Sequence, residues 1–357
     1  MAEPPFTYPS ARPSRRVAAT TSREETTLFV LKHRPEDFRV RENLVVPLTD
    51  DASAAHRYLL LHKRGYTTME AVRLLADRIG VAGREVRYAG LKDEDGVTEQ
   101  LLSVPARALA DGLPEFPDGE RRLRLAHYGY GHEPLAVGGL EGNAFRVVLR
   151  DLDDGAAGRL AGRRRINLLF VNYYDTQRFG VPGGPKRTHL VGAALLDEEW
   201  ARARHELAGL GAPESASARD WTGPDEDFFR SLDPRTVAFY LAAHSSYRWN
   251  AEVRGLIGAE HARDVTVDGL PYRFPAGARE AAALQARCPE LAYTRYTWAD
   301  GPEEHRVVRP TVVQTLVTVG AHGPDDAFPG RRAVELGFQL PSGSYATTAL
   351  RQLMTQR

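Results

Sequence analysis

"YAGLKDEDGVTEQ", residues 88–100, reads as a strand running into a tight loop and out into a second strand. At the tip stand Lys92, Asp93, Glu94 and Asp95, with Gly96 behind them. Taken alone, such a run is a solvated hairpin turn. Three neighbouring features favour chemistry. Tyr88, Ala89, Gly90 and Leu91 lead in as an apolar strand that would hold Asp93 rigid at its end. Gly90 permits close backbone approach. Thr98 and Gln100 put polar groups on one face of the outgoing strand. A carboxylate carried on rigid strands is what nucleophilic or electrostatic catalysis at a sugar carbon requires. Asp93 is therefore the leading candidate, with Glu94 and Asp95 as solvent-facing flanks.

Outward from this loop, residues 26–48 read as two strands broken at Pro35, which cannot donate to a ladder. Residues 56–81 give a strand and then a helix with Thr67 as N-cap, Glu70 completing a capping box and Gly80 as the stop. Phe145, Val147 and Leu149 alternate as a half-buried strand, and residues 153–169 read as a helix leading into "FVNYYDTQRFGVPGGPKR" (170–187). From about residue 188 helical patterns dominate, with a polar connection at 211–225. A mixed region with strands runs to about 330. The chain closes with a strand, a Pro/Gly turn and a helix from Tyr345.

Composition bounds the alternatives. The chain has 357 residues, 42% hydrophobic and 26% charged, as an ordinary globular protein does. No apolar run reaches the length of a membrane span, and the first 25 residues read as a mobile arm rather than a secretory signal. The single cysteine, Cys288, excludes an internal disulfide framework, so a reducing cytoplasm is the expected location. The histidines show no metal-ligand spacing, and neither "GVPGGPK" (180–186) nor "PSGSYA" (341–346) has the pattern of a phosphate loop or a hydrolase nucleophile; no metal or cofactor is expected. Basic and acidic residues balance at 47 each, so no global field marks a nucleic-acid partner. Only four of the basic residues are lysine (32, 63, 92 and 186), which leaves 47 − 4 = 43 arginines.

The motifs together resemble one family. "AGLKDEDGVTEQ" is similar to the signature Gly-x-Lys-Asp-x-x-Ala-x-Thr-x-Gln of the TruD family of pseudouridine synthases. "LKHRPEDFRVRE" (31–42) resembles that family's Lys-x-x-Pro-x-Asp-Phe-x-Val-x-Glu, and "HKRGYTTMEAVRLLA" its first helix. "GNAFRVVLR" resembles its Gly-Asn-x-Phe strand, and "NYYDTQRFG" its Asn-Tyr-Phe-Gly-x-Gln-Arg-Phe-Gly. "AHSSYRWNAEV" and "LPSGSYATTALRQLM" resemble its later segments. The resemblance implies an α+β fold: a pseudouridine synthase catalytic domain with a mixed, largely antiparallel sheet, interrupted by a TruD-type α/β insertion domain. The expected boundaries are an arm at 1–25, the catalytic domain at 26–187 plus 335–357, and the insertion at 188–334.

The implied reaction isomerises uridine to pseudouridine without a cofactor. The N1–C1′ bond breaks, the uracil turns, C5 joins C1′ and the C5 proton leaves. Asp93 fills the catalytic position, as nucleophile, as electrostatic stabiliser at C1′ or as base toward a ribose proton. Tyr174 falls where the family has a base-stacking phenylalanine. Asn172, Gln177 and Arg178 would organise that loop. Lys32 would be the charge partner that keeps Asp93 ionised, with a solvated strand-end lysine as the other reading. Lys92, Thr98 and Gln100 would support the loop, and Arg351 would contact phosphate or sit at the surface.

The departures from the family lie in charge. Glu94 and Asp95 stand where basic or neutral residues are usual, and Gly96 replaces alanine. "GHEPLAVGGLEGN" (131–143) stands where the family has a lysine- and arginine-rich run. Phosphate contacts supply most nucleic-acid affinity, so this thinning weakens the expected grip on tRNA. Three readings follow: a modifier of tRNA-type RNA, its charge restored by residues such as Arg163, Arg164 and Arg165; a specialised relative acting on an atypical RNA or a free uridine nucleotide, in C-nucleoside natural-product biosynthesis; and a catalytically silent RNA-binding module. The sequence gives no oligomeric state.

Overall fold

The computed structural model describes residues 17–21, 24–51, 53–109, 112–136, 138–180 and 184–356, with the side chains of 17–28 left aside. Most of the expected arm, and part of the 180–186 turn, lie outside the described residues.

In chain order, β1 (Val17–Thr21) and β2 (Glu24–Phe29) precede a single 3-10 turn at Pro35–Asp37, where proline's fixed φ starts the turn and its missing N–H costs nothing. β3 (Phe38–Asn43) and β4 (His56–Arg64) follow, then α1 (Thr68–Ile79). The Thr67 hydroxyl accepts from the Glu70 N–H at 3.1 Å, and Gly80 closes the helix at φ +69°, a left-handed cap that glycine adopts without strain. Next come β5 (Arg87–Tyr88), β6 (Val97–Pro105), β7 (Arg122–Gly131), β8 (Gly142–Leu152) and α2 (Asp154–Ala161). The expected strand at 88–91 is shorter than its apolar pattern suggested: only Arg87–Tyr88 pairs, and Leu91 is 66% exposed. The expected helix at 153–169 also stops early. Its charged end turns into β9 (Arg165–Val171), whose Ile166, Leu168 and Phe170 alternate as a strand requires.

Beyond β9, the helices α3 (Thr188–Leu196), α4 (Trp200–Ala208), α5 (Ser215–Asp220), α6 (Asp225–Ser231) and α7 (Pro234–Leu256) follow in succession. Then come β10 (Ala262–Val267), β11 (Leu270–Pro275), α8 (Ala278–Arg287), β12 (Glu290–Trp298), β13 (Pro302–Pro310), β14 (Val312–Pro324), β15 (Arg332–Pro341) and α9 (Ala346–Thr355). The fold is α+β.

Among the described residues the chain forms two compact units, one of Val17, 29–164 and 318–342, the other of 18–28, 165–317 and 343–356. In the first, the sheet order is β7-β4-β6-β3-β8-β15, continued by the second half of β14, with β5 beside β6. Only β3–β6 is parallel; the other pairings with printed registers are antiparallel, so the sheet is mixed and mostly antiparallel. On one face Leu59, Leu61, Leu102 and Val104 pack against Val72, Leu75 and Ala76 of α1. Leu75 is fully buried, a side chain whose removal from water is worth about 1.5–3 kcal/mol.

The second unit has two apolar centres. Val191, Leu195, Leu207, Phe229 and Leu241 tie α3, α4, α6 and α7 together. Val171, Tyr173, Phe179, Trp249, Tyr272 and Phe274 join β9 and the loop after it to α7 and β11. That second cluster draws the segment after Arg164 into this unit, so the edge of compactness falls there and not at the expected 187/188 boundary.

Candidate active site

In the first unit, Asp93 sits in the loop between β5 and β6. Lys32 Nζ lies 2.6 Å from Asp93 Oδ2 and 4.4 Å from the centre of the Phe38 ring. The lysine side chain is 14% exposed and the aspartate side chain 41%, so the carboxylate is the open member of the pair. Lys32 has φ +56°, a left-handed backbone that costs a lysine about 1–2 kcal/mol. The ion pair and the ring contact hold it there.

Beneath the loop the polar groups are interior. Lys92 Nζ pairs with Glu42 Oε1 at 2.8 Å, both side chains nearly inaccessible, and Glu42 Oε2 accepts from the Leu101 N–H at 3.0 Å. The Thr68 hydroxyl accepts from the Lys92 N–H and donates to Gln100 Oε1, each at 2.9 Å, and Gln100 Nε2 donates to the Gly90 carbonyl at 3.2 Å. Thr98 is fully buried, with its hydroxyl unpaired among the described residues. A Cβ on Gly96 would lie 2.6 Å from the Phe38 carbonyl oxygen, so β6 enters its pairing at a contact only glycine fits without a shift. Glu94 and Asp95 are exposed, and burial of part of its carboxyl together with the nearby Asp95 and Glu70 charges raises the pKa of Glu94.

Lys63 completes this group. Its Nζ donates to the backbone carbonyls of Asp93 (2.7 Å), Tyr66 (2.9 Å) and Lys92 (3.3 Å), and the residue is 1% exposed. Burial pulls its ammonium down to about 8, with the Asp93 and Glu94 charges opposing that shift. Three of the four lysines of the chain thus meet at one loop. Sequence reasoning passed over Lys63, although its rarity among 43 arginines was visible.

In the second unit, Asn172, Tyr174, Arg178 and Arg351 fall close together. Tyr174 is half-buried; its N–H donates to Asn250 Oδ1 and its carbonyl accepts from Asn250 Nδ2, both at 2.9 Å. The Arg309 guanidinium carbon stands 4.1 Å from the centre of its ring. Trp249 and Tyr345 approach the ring at steep angles, and its hydroxyl meets that of Tyr293 at 2.5 Å. Burial, and then the bond to Tyr174, raise the pKa of Tyr293. The hydroxyl of Tyr174 is thereby occupied within the protein, which leaves its ring as the part free to serve a ligand.

Arg309 Nη2 reaches both the Asn172 carbonyl (2.8 Å) and Asn172 Oδ1 (2.9 Å), locking the residue that precedes the two tyrosines. Arg178 Nε donates to the Ser246 hydroxyl at 3.3 Å, while Gln177 is exposed on its 3-10 turn. Arg351 is not at the surface: it is 3% exposed and paired with the equally buried Asp175. A buried ion pair anchors the loop from below and has no charge to spare for a phosphate. Arg309 and Tyr293 escaped sequence reasoning because each lies more than 100 residues from Tyr174, whereas Asn250 stood in the quoted "AHSSYRWNAEV" without a role. Among the described residues there is no cluster of three metal-ligating side chains, and no helix long and apolar enough to cross a membrane.

The chain has relatives among known proteins. Residues 18–248 match the family model described as tRNA pseudouridine synthase D (TruD). The tRNA pseudouridine synthase D of Geobacter sp. (strain M21) is 33% identical over 213 residues, which cover 59% of this chain and 51% of that protein. In this match, and in others of its kind, the chain spans about half the length of the relative. The protein of the same name from Anaeromyxobacter sp. (strain Fw109-5) is 32% identical over 364 aligned positions, 91% of this chain and 92% of that one. Among solved structures, the crystal structure of the putative tRNA pseudouridine synthase D of Methanosarcina mazei superposes with a TM-score of 0.56 at 18% identity, over 91% of this chain and 93% of that one. At that identity the likeness speaks for the fold.

Proposed function

The chain belongs to the TruD family of tRNA pseudouridine synthases, and from that premise we propose that it isomerises uridine to pseudouridine in a tRNA-type RNA. One observation carries the reading: an accessible carboxylate, Asp93, ion-paired at 2.6 Å to Lys32 on a base that includes the buried, hydrogen-bonded Lys63 and the Lys92–Glu42 pair. A turn that merely faced solvent would need no such base. Rigid support is what a group must have to act repeatedly at one ribose carbon.

In this reading Asp93 serves at C1′ or at a ribose proton, and Lys32 orients its carboxylate. Tyr174 presents its ring to the uracil while Tyr293 and Asn250 hold its hydroxyl and backbone. Arg309 fixes Asn172 and backs the ring. The Lys63, Lys92–Glu42 and Thr68–Gln100 contacts keep the loop in register, and Arg351 steadies the Tyr174 loop through Asp175. No cofactor enters, because the reaction only moves one glycosidic bond and one proton. The arm (1–25), the catalytic domain (26–187 plus 335–357) and the insertion (188–334) are divisions by family resemblance and differ from the compact units, which part after Arg164, and a cytoplasmic site of action goes with the RNA substrate.

The test is release of tritium from uracil labelled at C5, with an unmodified tRNA transcript and free uridine monophosphate supplied in parallel. Release from the transcript, abolished in Asp93→Asn, supports the proposal. Release from the nucleotide alone would replace RNA with a free nucleotide as substrate. Release from neither, with tight transcript binding unaffected by Asp93→Asn, would sink the catalytic reading in favour of an RNA-binding module.

A further inference from the structure

Resting on an RNA substrate, we propose that the exposed end of one face of the first unit's sheet, on the side away from the helix α1, is a docking band for the RNA backbone; further along, Leu135 covers the same face over Tyr58 and Leu101. Cross-strand register places Arg122, Arg64, Val97, Arg39 and Arg146 in one row over β7, β4, β6, β3 and β8. Two residues along, on the same face, the row reads Arg124, His62, Glu99, Arg41 and Ala144. The row between them (Leu123, Lys63, Thr98, Val40) points the other way and is buried. Neighbouring strands lie about 4.8 Å apart, so the first row spreads its arginines over roughly 19 Å.

Stability does not explain this pattern. Arg64 stands directly opposite Arg122, and Arg39 directly opposite Arg146, and like charges so placed repel. Carboxylates on the face soften the repulsion: Glu36 lies 3.2 Å from Arg64, Glu99 3.7 Å from Arg41 and 3.3 Å from His62, Glu335 3.0 Å from Arg146, and Asp118 pairs with Arg122 and Arg124. Six arginines against these four carboxylates leave a surplus of two with His62 neutral. Arg39 has no carboxylate within ion-pair distance among the described residues; its Nε donates to the Glu36 carbonyl. Arg41, Arg122, Arg124 and Arg146 have 45–69% of their side chains exposed.

The row also encloses a depression of about 220 Å³, lined by Arg39, Arg64, Arg122, His62 and Glu36 with Val97 in its wall. Guanidinium forks suit phosphate oxygens, two bonds at a time. Val97 follows Asp93 by four residues, at most about 14 Å of chain, but Lys63, Gln100 and Phe38 hold the catalytic loop on the α1 face, so RNA seated on the band reaches Asp93 by passing round the end of the sheet. The band would supply part of the grip missing from residues 131–143.

The experiment measures binding of an unmodified tRNA transcript at several salt concentrations, in the Asp93→Asn background to prevent turnover. The test variant is Arg39→Glu/Arg122→Glu, and the control with equal charge change is Arg202→Glu/Arg230→Glu, on the exposed sides of α4 and α6. Both should keep the wild-type circular dichroism. The test pair is expected to raise Kd at least tenfold and to flatten the slope of log K against log salt by about 1.4–1.8, the loss of two phosphate contacts. In the Asp93 enzyme it should leave the single-turnover rate at saturating transcript unchanged. An unchanged Kd and slope, or an equal effect of the control pair, overturns the docking band. A wild-type chain that neither binds nor modifies the transcript overturns the RNA substrate itself, and the band with it; that failure shows in the parent protein before any arginine is changed.

Discussion

Replacing Lys63 by methionine separates loop positioning from stability. The substitution keeps the length of the side chain and removes the ammonium that holds the carbonyls of Asp93 and Tyr66 at 2.7 and 2.9 Å. Two hydrogen bonds to a charged group are worth about 3–6 kcal/mol together. Against this, burial has lowered the lysine from 10.5 to about 8, a cost on the order of 3 kcal/mol that the methionine no longer bears. The net loss of stability is therefore small, about 0–3 kcal/mol. The loss of rate should be large, because Asp93 then lacks the tie on its own carbonyl, and a displacement of about 1 Å can cost about 100-fold. Urea unfolding gives the first quantity and single-turnover tritium release at saturating transcript the second. A Lys63→Met chain with at least a third of the wild-type rate would refute the positioning argument, and so would a rate that falls only as far as the folded fraction does. The pH dependence supplies a second check. The native lysine releases its proton near 8 and the unfolded one near 10.5, so between these values the unfolded state holds more protons and stability rises with pH. Activity should move in the opposite sense, falling as pH rises through about 8.

Three other substitutions probe the remaining architecture. Tyr174→Phe should keep the rate within about threefold while the Tyr293 hydroxyl loses its partner at a cost of about 1 kcal/mol, whereas Tyr174→Ala should lose the rate about 100-fold; equal effects of the two would mean that the hydroxyl matters and the ring does not. Arg351→Met should destabilise the chain by about 3–5 kcal/mol by stranding buried Asp175, and Arg351→Met/Asp175→Leu should recover most of it in denaturant titrations; additive losses would deny the pairing. Gly96→Ala should cost about 1–3 kcal/mol by forcing Cβ against the Phe38 carbonyl, and an unchanged midpoint of thermal unfolding would show that β6 shifts freely.

Local signals carried the sequence reading where chemistry and structure lie within one short segment. Thr67 and Gly80 bounded α1 because caps are written in adjacent residues. Pro35 marked the break before β3 for the same reason. The alternation of Thr98 and Gln100 marked one face of β6, and both residues are fully buried there. Apolar character misled at Leu91, where a loop held by side-chain hydrogen bonds needs no paired strand beneath it. Arg163–Arg165 were read as part of a helix running to residue 169, yet the strand β9 begins inside that run. The partners of Tyr174 were illegible for a different reason: a stack of Arg309 on a tyrosine exists only once α7, β12 and β13 have folded around β9. Asp175 stands at the glycine of the motif quoted for this loop, and only the buried guanidinium of Arg351 accounts for a carboxylate there.

The gathering of lysines has a practical corollary in chemical labelling. Of the four lysine amines in this chain, Lys63 and Lys92 are nearly inaccessible and Lys32 is held against Asp93, which leaves Lys186 as the one outside the loop. An amine-directed reagent therefore finds few lysine targets on the folded protein, and acylation at Lys63 requires the Asp93 loop to open first. The ratio of its labelling rate to that of a free lysine, followed by mass spectrometry at constant pH, reads the opening equilibrium of that loop directly, and its slowing on addition of RNA would report closure around the substrate.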